Sequence, residues 1–202
     1  NDQQIGDIIR FAIENIDIVH GVNFQPVSFS GRTPSDQVEE QRITIPDFLQ
    51  LVDEQTDGQI AKDDFYSATS VQPVSSFIGA LRNEEPPVTL NCHQHCGSAT
   101  YIFMDNGKII PITRFIDIDK FLSFLNKYTD KLEDGGFGIK SRVLASAAKN
   151  LPKIINEDEA PSGLDMKKIL LDIFKSQSYD ALGEFHVNSL LVSCMHFMDP
   201  FN

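Results

Sequence analysis

The stretch ATYIFMDNGKIIPITRF, residues 99–115, constrains this chain more than any other. Three apolar β-formers, Tyr101, Ile102 and Phe103, precede Asp105-Asn106-Gly107, and Ile109, Ile110 and Ile112 follow. Asn-Gly favours a primed two-residue turn, because both central positions take positive φ and that turn matches the twist of paired strands. The pattern predicts an antiparallel hairpin, residues 101–104 against 108–111, as the seed of a small sheet around which the rest must pack.

Most of that rest has helical spacing. TIPDFLQLVDEQTDG carries a cap at Thr44, a proline in the first turn at Pro46, an acid at the positive helix end at Asp47, and a stop at Gly58. VQPVSSFIGALRNEEPP reads as a short helix ended by Pro86 and Pro87. DIDKFLSFLNKYTDKL sets Phe121, Leu122, Phe124, Leu125, Tyr128 and Leu132 on one side. SRVLASAAKNL, LDMKKILLDIFKSQ and YDALGEFHVNSLLVSCMHFMD are further predicted helices, and the acidic NEDEAPSG links two of them. SGRTPSDQVEEQR is rich in breakers and reads as a loop.

The opening differs. IGDIIRFAIENIDI is an amphipathic helix, and GVNFQPVSF follows it directly as a strand, with Pro26 indicating an edge or an end. A helix running straight into an apolar strand is half of a βαβ unit. The fold class expected is α+β: a barrel-end remnant over residues 1–32, then a mostly helical α+β domain over residues 33–202 around the hairpin. The strand at residues 22–29 is expected to lack the parallel neighbours of a closed barrel and to cover its edge, for instance by forming a homodimer.

Composition narrows the function. Hydrophobic residues make up 41% of the 202, enough for a real core, while the formal net charge is -12. Phosphate neutralisation carries most nucleic-acid affinity, so an acidic chain with scattered Lys and Arg is not expected to bind nucleic acid. No apolar run is long enough to cross a bilayer. Three cysteines are too few, and odd in number, for a disulfide-built domain, and a reducing cytoplasm is the expected compartment.

Two of those cysteines stand in Cys92-His93-Gln94-His95-Cys96, just ahead of the hairpin. Thiolates and imidazoles bind zinc, and thiolates bind iron–sulfur clusters. Five adjacent residues can hardly occupy all four tetrahedral positions around one ion, so a ligand from elsewhere is expected. The competing reading is two reduced thiols beside two hydrogen-bonding histidines, and both readings stand on the residues alone. Cys194, in SLLVSCMHF, reads as a small buried hydrophobe, with His196 as a weak companion, and His20 and His186 read as structural. The glycines of GGFG at residues 135–138 read as a helix-to-helix turn. Arg32 and Arg114, beside strand ends, are of the type that holds a carboxylate or phosphate. No Gly-x-Ser-x-Gly nucleophile elbow is present.

Five stretches in order, GVNFQPVSFSGR, RITIPDFLQLVDEQTDGQI, CHQHCGSATYIF, GKIIPITRFIDIDKFL and MHFMDPFN, resemble the C-terminal half of a group of radical S-adenosylmethionine proteins. The group includes the archaeal tetraether-lipid synthases and pterin-modifying radical enzymes. The resemblance spans residue 5 to residue 202 and is specific to the group rather than to one substrate. It implies a parent enzyme with a radical-SAM barrel, a [4Fe-4S] cluster on a Cys-x3-Cys-x2-Cys loop, and S-adenosylmethionine as cofactor. This chain has no such loop, so it is expected to be a domain fragment, truncated at both ends and inactive alone. By match to the group's Cys-His-x-His-Cys-Gly element, Cys92, Cys96, His93 and His95 become metal-site candidates, part of an auxiliary iron–sulfur site. Gln94 stands where the group usually has proline, which implies a less rigid loop. The expected partners are the missing barrel and a small-molecule or lipid substrate. The alternative is a self-contained binding module with a structural zinc at the same element, the fragment alone being metal-free or zinc-bound.

Overall fold

The computed structural model describes residues 1–89, 91–176, 183–197 and 199. The chain is α+β, with helices on both faces of one mixed five-stranded sheet. Helix α1 (Ile5–Glu14) leads into β1 (Gly21–Phe24), and α2 (Ser35–Gln41) and α3 (Ile45–Gln55) follow. A two-residue strand β2 (Tyr66–Ser67) precedes α4 (Val71–Arg82). The hairpin β3 (Gly97–Asp105) and β4 (Lys108–Pro111) comes next, then α5 (Ile118–Glu133), α6 (Ile139–Asn150) and α7 (Met166–Ser176). The described chain closes through a short α8 (Gly183–Val187) and β5 (Ser189–Met195).

The hairpin forms as its sequence requires. Met104 pairs with Ile109 and Asp105 with Lys108, and Asn106 and Gly107 sit at φ 49° and 79°. Helix α3 also starts as expected: the Thr44 hydroxyl accepts from Asp47 N, and Asp47 accepts from Thr44 N in return. Its end is closed by Gly58, at φ 73°, whose N–H reaches the Asp53 carbonyl. The glycine turn at residues 135–138 joins α5 to α6, with Gly135, Gly136 and Gly138 all at positive φ.

Three local expectations are corrected. Residues 35–41, read as loop, form α2, which buries Val38. With one buried apolar position, this short helix has no periodic apolar stripe for the sequence to announce. Residues 189–195, read as helix, are β5, the strand between β1 and β3 in the order β1-β5-β3-β2. Leu190, Val192 and Cys194 alternate onto one face, each at most 1% exposed. A short apolar run of this kind fits a buried strand or a buried helix equally, and here pairing along its whole length against β3 decides it. The parts of that expected helix at residues 179–182 and 198 lie outside the described residues. Third, β1 stops at Phe24, before Pro26, and it does have a parallel neighbour: Gly21 to Phe24 align with Leu191 to Cys194.

Two apolar cores flank the sheet. Ile5, Ile9 and Ala12 of α1 and Phe48 and Val52 of α3 pack on one face against Ile102, Leu190, Val192 and Cys194. Phe77, Phe103, Phe115, Phe124, Leu125 and Leu151 anchor the other, built mainly from α4 to α7. Ile102 and Phe103, adjacent in β3, are both fully buried, one in each core. Close packing sets α1 against α3: Gly6 N donates to Gln55 Oε1 at 2.9 Å, and a Cβ at Gly6 would lie 2.6 Å from the Gln55 carbonyl oxygen. Among the described residues no helix is long and apolar enough to cross a membrane.

Candidate functional site

The Cys-His loop is held at the end of β3 by its own backbone and by β2. Cys96 N donates to the His93 carbonyl at 2.8 Å, which closes a tight turn over residues 93–96. The Ser67 hydroxyl donates to the Gln94 carbonyl at 2.9 Å, and Asn91 Nδ2 reaches the Thr69 carbonyl at 3.4 Å. Within the turn, His95 N donates to His93 Nδ1 at 3.3 Å, and the two imidazoles meet edge to face at 5.0 Å. The Gln94 amide lies 3.4 Å from His95 Nε2, a contact the proline usual in the group cannot make. Cys92 and Cys96 are free thiols, each half-buried, while His93 and His95 are exposed.

Thiols and imidazoles suit a metal in kind. Their arrangement here does not gather them: among the described residues, no three His, Cys, Asp or Glu side chains are grouped to hold an ion. One detail shows why. His93 Nδ1 is occupied by the His95 N–H within the loop. Ligation through that nitrogen requires the His95 N–H contact to break.

The strand pairing brings one residue to the loop that sequence alone did not. His196 N donates to the Cys96 carbonyl at 2.8 Å, which continues the β3–β5 register one pair past Gly97 and Met195. Residues opposed in an antiparallel pair share a face. His196 is only partly exposed, and its Nε2 is buried without a hydrogen-bond partner. The signal was present in sequence as MHF, but only the strand assignment of residues 189–195 places it beside Cys96. Cys194, two residues earlier, faces the first core, and burial pushes its thiol up to about 12. It packs as a small hydrophobe.

A second convergence joins three of the stretches that carry the family resemblance. Asp199 Oδ2 accepts from Phe29 N at 2.9 Å, and Asp199 Oδ1 lies 3.2 Å from Arg42 Nη2. The Arg42 guanidinium also stands over the Phe29 ring at 5.4 Å, and Ser28 Oγ donates to the Phe197 carbonyl. The loop after β1, the segment before α3 and the segment after β5 are thereby tied into one knot. Of the two arginines singled out by sequence, Arg32 is exposed in the loop after β1, while Arg114 is paired with Asp64 at 2.8 Å. His20 is exposed, and its carbonyl accepts from Leu191 N. The side chain of His186 lies outside the described residues.

No protein-family model matches this sequence. Over its whole length the chain is 49% identical to the 7,8-dihydro-6-hydroxymethylpterin dimethyltransferase of Methanocaldococcus jannaschii. The aligned part is 40% of that relative, so the chain spans about two-fifths of the protein it is similar to.

Proposed function

We propose that this chain forms the C-terminal portion of a radical S-adenosylmethionine enzyme that methylates a pterin-like small molecule. The 49% identity along the entire chain to a pterin dimethyltransferase is the observation that carries this reading. The acidic balance, -12 overall, fits a metabolic enzyme working without nucleic acid. In such a parent, S-adenosylmethionine and its cluster supply a carbon-centred radical that removes hydrogen from an unactivated carbon, and that chemistry belongs to the barrel. The present residues enclose and position, because a protein's share in cofactor chemistry is binding, orientation and electrostatics.

Two structural features support a parental barrel. Among the described residues β1 has a neighbour on one side only, β5. Ile8 and Phe11 of α1 and Ile18 after it, 37%, 63% and 77% exposed, leave an apolar surface uncovered beside it. Parallel strands are normally covered on both faces, and an open edge is normally blunted, covered or paired. A further strand and helix of the same protein, or a second copy of the chain, fits there.

The finer reading is that Cys92 and Cys96, with His93 and His95, contribute to an auxiliary iron–sulfur site of the parent. His196 supports it, as a buried nitrogen without a partner opposite Cys96. The test uses the full-length protein carrying Cys92→Ala and Cys96→Ala, reconstituted with iron and sulfide. Expected is a loss of about one cluster's worth of iron while the radical-generating cluster stays. Iron content and activity both equal to the parent's would return the two cysteines to plain thiols in a turn. Zinc bound in place of the lost iron would mark a structural zinc site instead.

A further inference from the structure

Beside Tyr66 of β2 lies a cleft of about 420 Å³, within the range of small-molecule sites. It is lined by the segment after β4 and the segment after α6, which backbone bonds hold side by side: Ile116 and Ile155 form an antiparallel bridge, Asp117 N donates to the Ile154 carbonyl at 2.9 Å, and Asn156 N donates to the Phe115 carbonyl at 2.8 Å. The cleft therefore exists before any ligand arrives.

Its polar groups are arranged around one arginine. Asp64, whose side chain is 5% exposed, accepts from Ala61 N and from the Thr113 hydroxyl, and its Oδ2 lies 2.8 Å from Arg114 Nη2. That buried carboxylate holds the guanidinium, which is still 48% exposed, and Arg114 lines the cleft. Lys153 and Asn156 line the cleft from the neighbouring segment, and Lys153 has no ion pair among the described residues. Tyr66 belongs to the same lining. Burial, then the charges of Asp119 and Asp117, push its phenol above the ordinary value, so it remains a hydrogen-bond donor at neutral pH. Ile118 and Ile154 supply the apolar part of the lining. The one carboxylate in the lining, Asp117, is taken up by Lys120 at 2.6 Å and by the backbone N–H of Lys120.

We propose that this cleft binds a small organic oxyanion, a carboxylate or phosphate ester with a flat apolar body, held by Arg114 and Lys153 and flanked by Tyr66 and Asn156. A guanidinium held in place pairs with planar oxyanions at little ordering cost, and a lysine on the neighbouring segment adds a mobile point charge. Asp64 balances the Arg114 charge, so Arg114 supplies directed donors while Lys153 supplies the positive charge that draws an anion to a chain of net charge -12. The inference does not rest on the radical-enzyme reading, and it goes beyond it by assigning a binding site.

The experiment is a titration of the 15N-labelled chain with benzoate, and separately with inorganic phosphate, against sodium chloride of equal ionic strength. Expected are saturable shifts of the amides at 113–118 and 153–156 with benzoate, phosphate or both, and none of that pattern with chloride. Arg114→Gln should abolish the response, and Lys153→Gln should weaken it by about fivefold. Lys153 is exposed and unpaired, so its variant keeps the test valid if loss of the Asp64 partner unfolds Arg114→Gln. Shifts that track chloride, shifts centred elsewhere, or an unchanged curve in Lys153→Gln overturn the assignment.

Discussion

Arg42 and Asp199 lie 157 residues apart in the chain and 3.2 Å apart in the fold, and the Asp199 side chain is only 3% exposed. A carboxylate this buried must be paired, and Asp199 has both a cation and the Phe29 N–H. Removing one partner of such a pair leaves the other uncompensated. Arg42→Ala, which strands the buried carboxylate, is expected to cost about 3 kcal/mol, and Asp199→Ala less, because the Arg42 charge it leaves behind is nearer solvent. Urea unfolding of both single variants and the double variant checks this; purely additive losses would mean that the pair has no coupling of its own.

Gly107→Val tests the hairpin. Nothing lies within 4 Å of a Cβ built there, so the cost is one of backbone conformation alone. At φ 79° a β-branched residue is strained, and about 2 kcal/mol of destabilisation is expected. Gly107→Asn, which tolerates positive φ, should recover much of it, as read by the thermal midpoint.

Gly79→Ala separates sterics from propensity. In a helix interior alanine is favoured over glycine by about 1 kcal/mol. Here a Cβ would meet the Glu84 carbonyl oxygen and the Pro86 backbone at 2.9 Å, and backbone cannot swing aside. The expected net effect is destabilisation by about 1–2 kcal/mol. A stabilised variant would show that the turn after α4 yields freely.

Asp47 gives a pH signature. Hydrogen bonds from the Thr44 side chain and backbone hold its carboxyl below the ordinary value. A depressed folded-state value stabilises above the unfolded value and is lost as pH falls through the folded one. Asp47→Ala is therefore expected to cost about 0.5–1 kcal/mol at pH 7. The gap should narrow as pH drops below about 4, which parallel urea titrations at the two pH values would show.

The thiols divide two to one. Brief alkylation of the native chain at pH 8 is expected to modify the half-buried Cys92 and Cys96 and to spare Cys194, which is 1% exposed and has its thiol pushed up to about 12. Mass spectrometry should find the third adduct only after unfolding. Native labelling of Cys194 would mean that β5 opens readily.

The elements legible in sequence are those whose signals are local. The Asn106-Gly107 turn, the Thr44–Asp47 box and the apolar side of α5 each announce themselves within a few residues. Strand β5 does not, because its identity comes from pairing with β3, about 90 residues earlier. The same non-local pairing hid His196, whose place beside Cys96 depends on the register of two strands. The cleft was half visible: Arg114 stood out as a strand-end cation, but the buried Asp64 that holds it lies 50 residues away. The Cys-His loop was found at once, although its turn, which occupies His93 Nδ1, follows from backbone geometry that the side-chain pattern does not encode.

The place of β5 has a consequence for biosynthesis. Strand β1 pairs with residues 170 positions later, so on a ribosome adding roughly 5–20 residues per second its edge waits on the order of 10–30 s for β5 to be made. During that interval the apolar faces of α1 and α3 have no central strand to pack on. Chaperone capture of the nascent chain should accordingly be heaviest before residue 189 is exposed and fall away once Ser189–Met195 has slotted between β1 and β3.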